Sequence, residues 1–252
     1  MNFSQLTFGM FSFKIYGFFI ACAFVLSGWY YYKTLKRKEF PVDFFLHSFW
    51  KWVMSGIVLG RIFAIILNWG IIERNGIFSF FAFWDGELNF IGMSLGMIGM
   101  MYYELQKRKM DFIRWIDAAI TPFLFGVLIL DIAAFLTGAL YGRETTMPWG
   151  IQYETFSVDI LSPVHPVTIY AFLLHLPLYF WAKRYVHVYE RLRGRLAIRA
   201  GIFFFLIDLF LQFFRGDPTL YILGTIRIEV LFDILILIFL FSWGHKNKID
   251  KF

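Results

Sequence analysis

Several apolar runs in the chain exceed the roughly 18–20 residues a helix needs to cross a bilayer. No other feature limits the fold as much. Lipid offers backbone groups no hydrogen-bond partner, so a spanning segment must satisfy its own N–H and C=O groups. The runs are therefore read as helices. Composition agrees: 59% of the 252 residues are hydrophobic and 34 are Phe, more than the interior of a soluble domain of this length hides.

Seven spans are expected: Phe13–Tyr32, Phe44–Leu67, Leu88–Leu105, Trp115–Gly138, Pro166–Ala182, Ala200–Phe214 and Thr225–Trp243. Basic residues gather in every second connection. Lys33, Lys36, Arg37 and Lys38 follow the first span; Lys107, Arg108, Lys109 and Arg114 follow the third. Lys183, Arg184, Arg191, Arg193, Arg195 and Arg199 follow the fifth, and Lys246, Lys248 and Lys251 the seventh. The alternate connections carry only Arg74, Arg143, Arg215 and Arg227. The positive-inside bias puts the C-terminus in the cytoplasm and the N-terminus outside. The net charge of +6 is thereby explained without a nucleic-acid partner. The N-terminus has no basic stretch before its apolar run and reads as a retained helix rather than a signal peptide.

The chain reads as one polytopic domain, residues 1–252. Residues 139–165, with Pro148-Trp149-Gly150 and Leu161-Ser-Pro-Val-His165-Pro166, form a turn-rich extracytoplasmic cap. The fold class is all-α membrane protein with seven helices and a small cap. A single cysteine, Cys22, excludes an internal disulfide and a zinc site of Cys/His spacing. No metal and no cofactor are expected.

Ionisable groups inside spans cost about 2.5–3.5 kcal/mol each even on the lenient insertion scale, so they are functional candidates by default. They are Arg61, Asp131, Asp208, Glu229 and Asp233, with Lys14 at an edge and His175 adding a polar group in the fifth span. Arg61 reads equally as an anion hook for a lipid phosphate and as the partner of a buried carboxylate. Asp131 and Asp208 read first as members of an ion pair with Arg61 or of a hydrogen-bonded helix contact. Asp208, Gln212 and Arg215 share a helical face. Gly56, Gly60, Gly92, Gly96 and Gly99 recur at near-helical spacing and are expected to let the second and third spans approach closely. His165 opens the fifth span, where a capping or head-group contact is favoured over proton transfer.

In order along the chain, six segments resemble the prolipoprotein diacylglyceryl transferase family. They are "KIYGF", "GIVLGRIF", "LNFIGMSLGMIG", "LDIAAFLTGALYGRETTMPWG", "HPVTIYAF" and "DLFLQFFRGDP". The resemblance implies a lipid-lined cavity and transfer of a diacylglyceryl group from phosphatidylglycerol to a lipobox cysteine. It also implies a seven-helix, N-out protein of the bacterial inner membrane. Carried over position by position, it leaves Tyr16, Arg61, Gly138, Tyr141, Gly142, Arg143, Pro148, Trp149, Gly150, His165, Pro166, Tyr170 and Arg215 in place. Of these, Arg61, Arg143, Arg215, Tyr141, Gly142 and Tyr170 would hold a lipid head group, and His165 and Tyr16 are the remaining candidates for catalysis. Departures are equally specific. Ile91 stands where the family has His, Asp131 where it has Arg, Ala134 where it has Asn and Ala139 where it has Glu. Thr137, Thr168, Ala171 and Phe204 are further replacements. Asp208 and Gln212 stand where it has Arg and Glu.

Residues that fix turns and packing persist, while groups that grip phosphate or move protons are mostly replaced. A charge pair at about 4 Å is worth about 4 kcal/mol at an effective dielectric near 20, so reversing one sign swings the interaction by up to about 8. Three readings follow. The first is a catalytically degenerate family member that binds a lipid, a lipoprotein precursor or a membrane partner. The second is an active transferase using altered residues, with Asp131 and Asp208 favouring an amine-bearing or uncharged lipid. The third is a structural subunit of a larger membrane complex. A transporter stands last, since no half-split helix pair or repeat supports it.

Overall fold

The computed structural model describes residues 5–8, 11–67, 76, 80–81, 88–153, 162–186, 193–217, 219–222 and 224–246. Most of the second-to-third connection with Arg74, residues 154–161 of the cap, and Arg191, Lys248 and Lys251 lie outside the described residues. Seven helices occur among the described residues: α1 (Ile15–Arg37), α2 (Val42–Leu67), α3 (Phe90–Lys107), α4 (Phe112–Thr137), α5 (Val167–Tyr185), α6 (Arg195–Gln212) and α7 (Ile228–Lys246). Four of them, α1, α2, α4 and α7, are long and apolar enough to cross a membrane. Charge dilutes the other three, as with Glu104 and Lys107 on α3 or Arg195, Arg199 and Asp208 on α6.

Two antiparallel hairpins were not expected. Strands β1 (Gln5–Phe8) and β2 (Phe11–Lys14) pair just ahead of α1, so Phe13 belongs to a strand and the first helix begins at Ile15. Strands β3 (Tyr221–Ile222) and β4 (Ile226–Arg227) pair ahead of α7, turning at Gly224 with φ 73°.

The chain clusters into two compact units, one of residues 32–115 and one of residues 1–31 with 116–252. In the first, α2 and α3 pack backbone to backbone through their glycines. A Cβ on Gly56 would lie 2.6 Å from Met97 Cγ, and one on Gly92 2.6 Å from the Leu59 oxygen. A Cβ on Gly96 would strike the Ser55 carbonyl and lie 2.8 Å from Gly56 Cα. Gly60 is similarly closed by Met93, but Gly99 faces open space, so four of the five glycines do the packing. Beside this seam, buried Glu104 accepts from Ser48 Oγ at 3.1 Å and from Lys51 Nζ at 3.2 Å. Phe40, Phe44 and Trp52 meet Trp115 edge-on at 5.2–6.1 Å, the orientation that ring quadrupoles favour.

In the other unit, Leu124 and Val127 of α4, Leu178 and Ala182 of α5, and Leu196 and Phe204 of α6 form the main core. Helix α6 begins five residues before the expected start because α4 supplies its cap. Asp117 Oδ2 accepts from Gly194 N at 2.6 Å and Oδ1 from Ala197 N at 2.9 Å. A carboxylate there satisfies orphan N–H groups and meets the positive end of the helix dipole. Gly194 itself sits at φ 83°, where a Cβ is disfavoured.

The α2–α3 seam makes a direct prediction. Gly96→Val should lower stability by about 1–3 kcal/mol, the usual cost of overpacking. Gly99→Ala should be neutral or slightly stabilising, because alanine is the better helix former. Thermal unfolding of both variants in the same detergent checks the contrast.

Candidate functional site

The Tyr141-Gly142-Arg143 turn is a backbone junction. Helix α4 ends at Thr137, and Gly138 and Leu140 take positive φ of 70° and 58° to reverse the chain. Gly142 then pairs with Arg215 as an antiparallel bridge. Arg143 N donates to the Phe214 oxygen at 2.8 Å, Gly216 N to the Tyr141 oxygen at 3.0 Å, and His165 N to the Arg143 oxygen at 2.9 Å. Three distant segments thus meet at main-chain level. Side chains have no room there. A Cβ on Gly142 would strike the His165 carbonyl, and one on Gly216 would lie 2.5 Å from the Gly142 oxygen. Further out, Glu144 and Ile151 both pair with Val164, which ties the described ends of the cap together.

An aromatic cluster sits against this junction. Trp149 Nε1 donates to Tyr170 OH at 2.7 Å, and Tyr170 OH lies 3.3 Å from His165 Nδ1. Phe214 packs edge-on against both rings, at 5.4 and 5.9 Å. His165 does not cap α5: the N-cap residue is Pro166, with no side-chain cap bond. Its imidazole is held by Tyr170 instead.

Arg215 lies just beyond α6. It grips Asp217 through Nε–Oδ1 and Nη2–Oδ2, both 2.8 Å. Arg227 completes the knot, donating to the Asp217 carbonyl at 3.0 Å and to Oδ1 at 3.2 Å. Its Nε stands 3.7 Å from Glu229 Oε2, while Thr219 Oγ1 donates to Glu229 Oε1 at 2.5 Å. Burial alone would raise the Asp217 carboxyl, but the hydrogen bonds and charge of Arg215, with the charge of Arg227, outweigh it and hold it below the usual carboxylate range. Burial disfavours the charged form of Arg215; Asp217 reverses that and keeps the guanidinium protonated beyond its ordinary value. Arg143 Nε donates to the Arg215 carbonyl at 3.1 Å, and the rest of its guanidinium reaches the exposed rim.

Deeper in the same unit, Asp131 Oδ2 lies 2.8 Å from His175 Nδ1. Of the two contacts expected for Asp131, this is the hydrogen-bonded helix contact, made to a histidine that α5 brings opposite. The His175 ring stacks on Phe204 at 5.1 Å and 17°. Tyr16 is within electrostatic range of Arg215 and Asp131, and Asp208 of Arg215, His175 and Glu229. Tyr16, Asp131, Asp208, Gln212, Arg143, Arg215, His165 and Tyr170 therefore belong to one unit. Arg61 is fully buried and lies with Ile91 in the other. At positions 134, 137 and 139 the structure is self-contained. Ala134 is 1% exposed, Ala139 is half-buried, and Thr137 Oγ1 donates to its own helix at Ala133 O, 2.8 Å.

Sequence reasoning missed Asp217, Arg227 as its second partner, and His175 as the partner of Asp131. The Arg-Gly-Asp run was the available signal for Asp217: two residues apart across a turn, opposite charges can meet.

Fold and site define a multi-pass membrane protein with a polar interior at one end of its helices. A sequence model of the prolipoprotein diacylglyceryl transferase family matches residues 4–243, and the chain belongs to that family. It is 26% identical over 214 residues to the phosphatidylglycerol–prolipoprotein diacylglyceryl transferase of Ehrlichia ruminantium (strain Welgevonden), covering 82% of this chain and 80% of that one. The proteins of the same description from Rickettsia canadensis (strain McKiel) and Wolbachia pipientis wMel are 28% and 25% identical over 205 and 195 residues. They cover 79% and 76% of this chain and 77% and 73% of their own.

The ionic knot is testable. Asp217→Asn should cost about 3–5 kcal/mol, because it leaves buried guanidinium charge uncompensated. The folded carboxyl titrates below its unfolded value, so its contribution is complete above pH about 4 and is lost as pH falls through the folded value. Melting temperatures of the wild type and Asp217→Asn should therefore converge in acid and separate above it.

Proposed function

We propose that this chain is a seven-span inner-membrane protein, N-terminus outside and C-terminus cytoplasmic, that binds phospholipid in the family's cavity but has lost transfer from phosphatidylglycerol. Residues 139–165 cap the outer end. The observation that carries this reading is the engagement of Arg215. Its guanidinium is bidentate to Asp217 within the same turn, and Asp208 and Glu229 add negative field around it.

A phosphate leaving group needs positive charge that is free to receive it. Here the positions that match the family's cationic and proton-moving groups hold Asp131, Ala139, Asp208, Gln212 and Ile91. Arg143 remains at the rim with donors directed outward, and Tyr141, Gly142 and Tyr170 shape the ledge beside it. It supplies the contact to a lipid phosphate. His165, bound to Tyr170, and Tyr16 serve the architecture of the site rather than proton transfer.

Two measurements test the reading. Expression in bacteria depleted of their own transferase should not restore growth, and purified protein should not move labelled diacylglycerol from phosphatidylglycerol to a lipobox peptide. Rescue or transfer would establish the active-enzyme reading instead. In mild detergent the protein should retain phospholipid, and Arg143→Ala should weaken retention roughly tenfold, the loss of one charge-assisted contact of about 1.5–3 kcal/mol. Retention only of a stoichiometric protein partner would favour a complex subunit.

A further inference from the structure

Helices α6 and α7 pack in an antiparallel register that can be read from one contact. A Cβ on Gly201 would lie 3.1 Å from Leu240 Cδ1. Moving two turns along both helices in opposite directions brings Asp208 opposite Asp233, and three turns brings Gln212 opposite Glu229. The first pairing agrees with a side-chain contact between the two carboxyl groups. Phe204, one turn before Asp208, carries the stacked ring of His175. Asp208 thus faces α5 as well as α7.

Four carboxylates, Asp208, Asp217, Glu229 and Asp233, share this end of the unit with two guanidinium groups, Arg215 and Arg227. The Asp131–His175 pair lies beside them. The Gln212 amide N–H faces Asp208, and the cluster also contains buried acceptors that have no hydrogen-bond partner among the described residues: His175 Nε2, Asp233 Oδ2 and Gln212 Oε1. Their residues are only 3–4% exposed. An unsatisfied buried polar group costs about 1–3 kcal/mol, so several together call for an occupant. With His175 Nδ1 engaged by Asp131, Nε2 is free to accept. His175 Nε2, Asp233 Oδ2 and Gln212 Oε1 then make three acceptors in a negative field, which matches the three N–H donors of a primary ammonium.

An apolar groove of about 290 Å³ begins at the same level. Leu174 and Ile207, the sequence neighbours of His175 and Asp208, line it, and it continues past Pro177, Leu178, Trp181 and Phe203. It runs away from the Arg143 and Arg215 end. Its dimensions and lining suit an acyl chain.

We infer that the ligand of this site is a phospholipid with a primary ammonium head group. The ammonium lies among Asp208, Gln212, Asp233 and His175, the phosphate lies toward Arg143, and one acyl chain lies in the α5–α6 groove. The inference rests on the lipid-binding reading above and specifies its lipid.

The test uses the full chain, delipidated in detergent and offered an equimolar mixture of phosphatidylethanolamine, phosphatidylglycerol and phosphatidylcholine with matched acyl chains. Native mass spectrometry counts what is retained. Phosphatidylethanolamine should exceed each of the others at least tenfold. Asp208→Asn with Asp233→Asn should bring the three within about twofold. Gln212→Leu, which leaves every charge in place, should reduce the preference several-fold while circular dichroism confirms folding. Millimolar ethanolamine should not displace the lipid.

Equal retention of the ethanolamine and glycerol lipids overturns the inference and leaves lipid binding intact. So does a preference that survives the double amide variant. Phosphatidylcholine retained as well as phosphatidylethanolamine overturns the three-acceptor assignment, since its ammonium has no N–H. Displacement by free ethanolamine assigns the site to a soluble amine. Retention of no lipid overturns this inference and the proposed function together.

Discussion

The carboxylate of Asp217 holds together the charged end of the molecule. Two guanidinium groups converge on it, one from just after α6 and one from the strand that leads into α7. Each buried charge alone would cost several kcal/mol to desolvate; bidentate pairing with Asp217 offsets that cost. Once Arg215 and Arg227 are fixed, the hairpin of β3 and β4 is fixed, and α7 starts where Ile228 N meets the Leu220 oxygen at 3.0 Å. The carboxylates of α6 and α7 are then held where protein, rather than lipid, is their solvent.

The junction around Gly142 works by a different constraint, main-chain proximity. Its glycines are required because carbonyl oxygens occupy the space a Cβ would need. Nothing about that requirement involves a phosphate or a proton. The Tyr-Gly-Arg turn, the Pro-Trp-Gly segment and the His-Pro start of α5 therefore have a structural reason to persist whether or not chemistry does. The replaced positions on α4 lead to the same conclusion from the other side. Alanines at 133 and 134 are sealed in the core, and Thr137 satisfies itself on its own helix. No orphaned donor or acceptor marks where the family's Asn residues stand.

How much was legible in the sequence depended on range. Apolar length and the need for internal backbone bonding gave the helices, and near-helical glycine spacing gave the α2–α3 seam. Gly99 was misjudged because spacing does not say which side of a helix meets its neighbour. The start of α6 was missed because its cap, Asp117, comes from a residue 77 positions away. Asp131 was seen to need a partner, but His175 is 44 residues distant on another helix, and sequence offers no register between helices. His165 was expected to cap a helix or meet a head group; it does not cap α5, and a tyrosine just over one turn further on holds its imidazole. The two hairpins are short: β2 and β4 overlap the starts of expected spans, while β1 and β3 fall just ahead of them.

Magnitudes also decide what the Arg215 end accepts. At Arg215 an anion meets a guanidinium whose charge Asp217 already offsets through Nε and Nη2. Displacing that carboxylate would break a buried pair at a cost of about 3–5 kcal/mol, against about 1.5–3 kcal/mol for a new charge-assisted hydrogen bond, and the N–H groups left over sit in the field of the nearby acids. A cation meets the opposite balance. It need not disturb the knot, it gains from the same acids, and it supplies donors to atoms that have none. On the proposed reading, aspartate in place of arginine on α4 and α6 does more than remove an anion contact: it adds acidic groups and acceptors beside a backbone framework that main-chain contacts hold together.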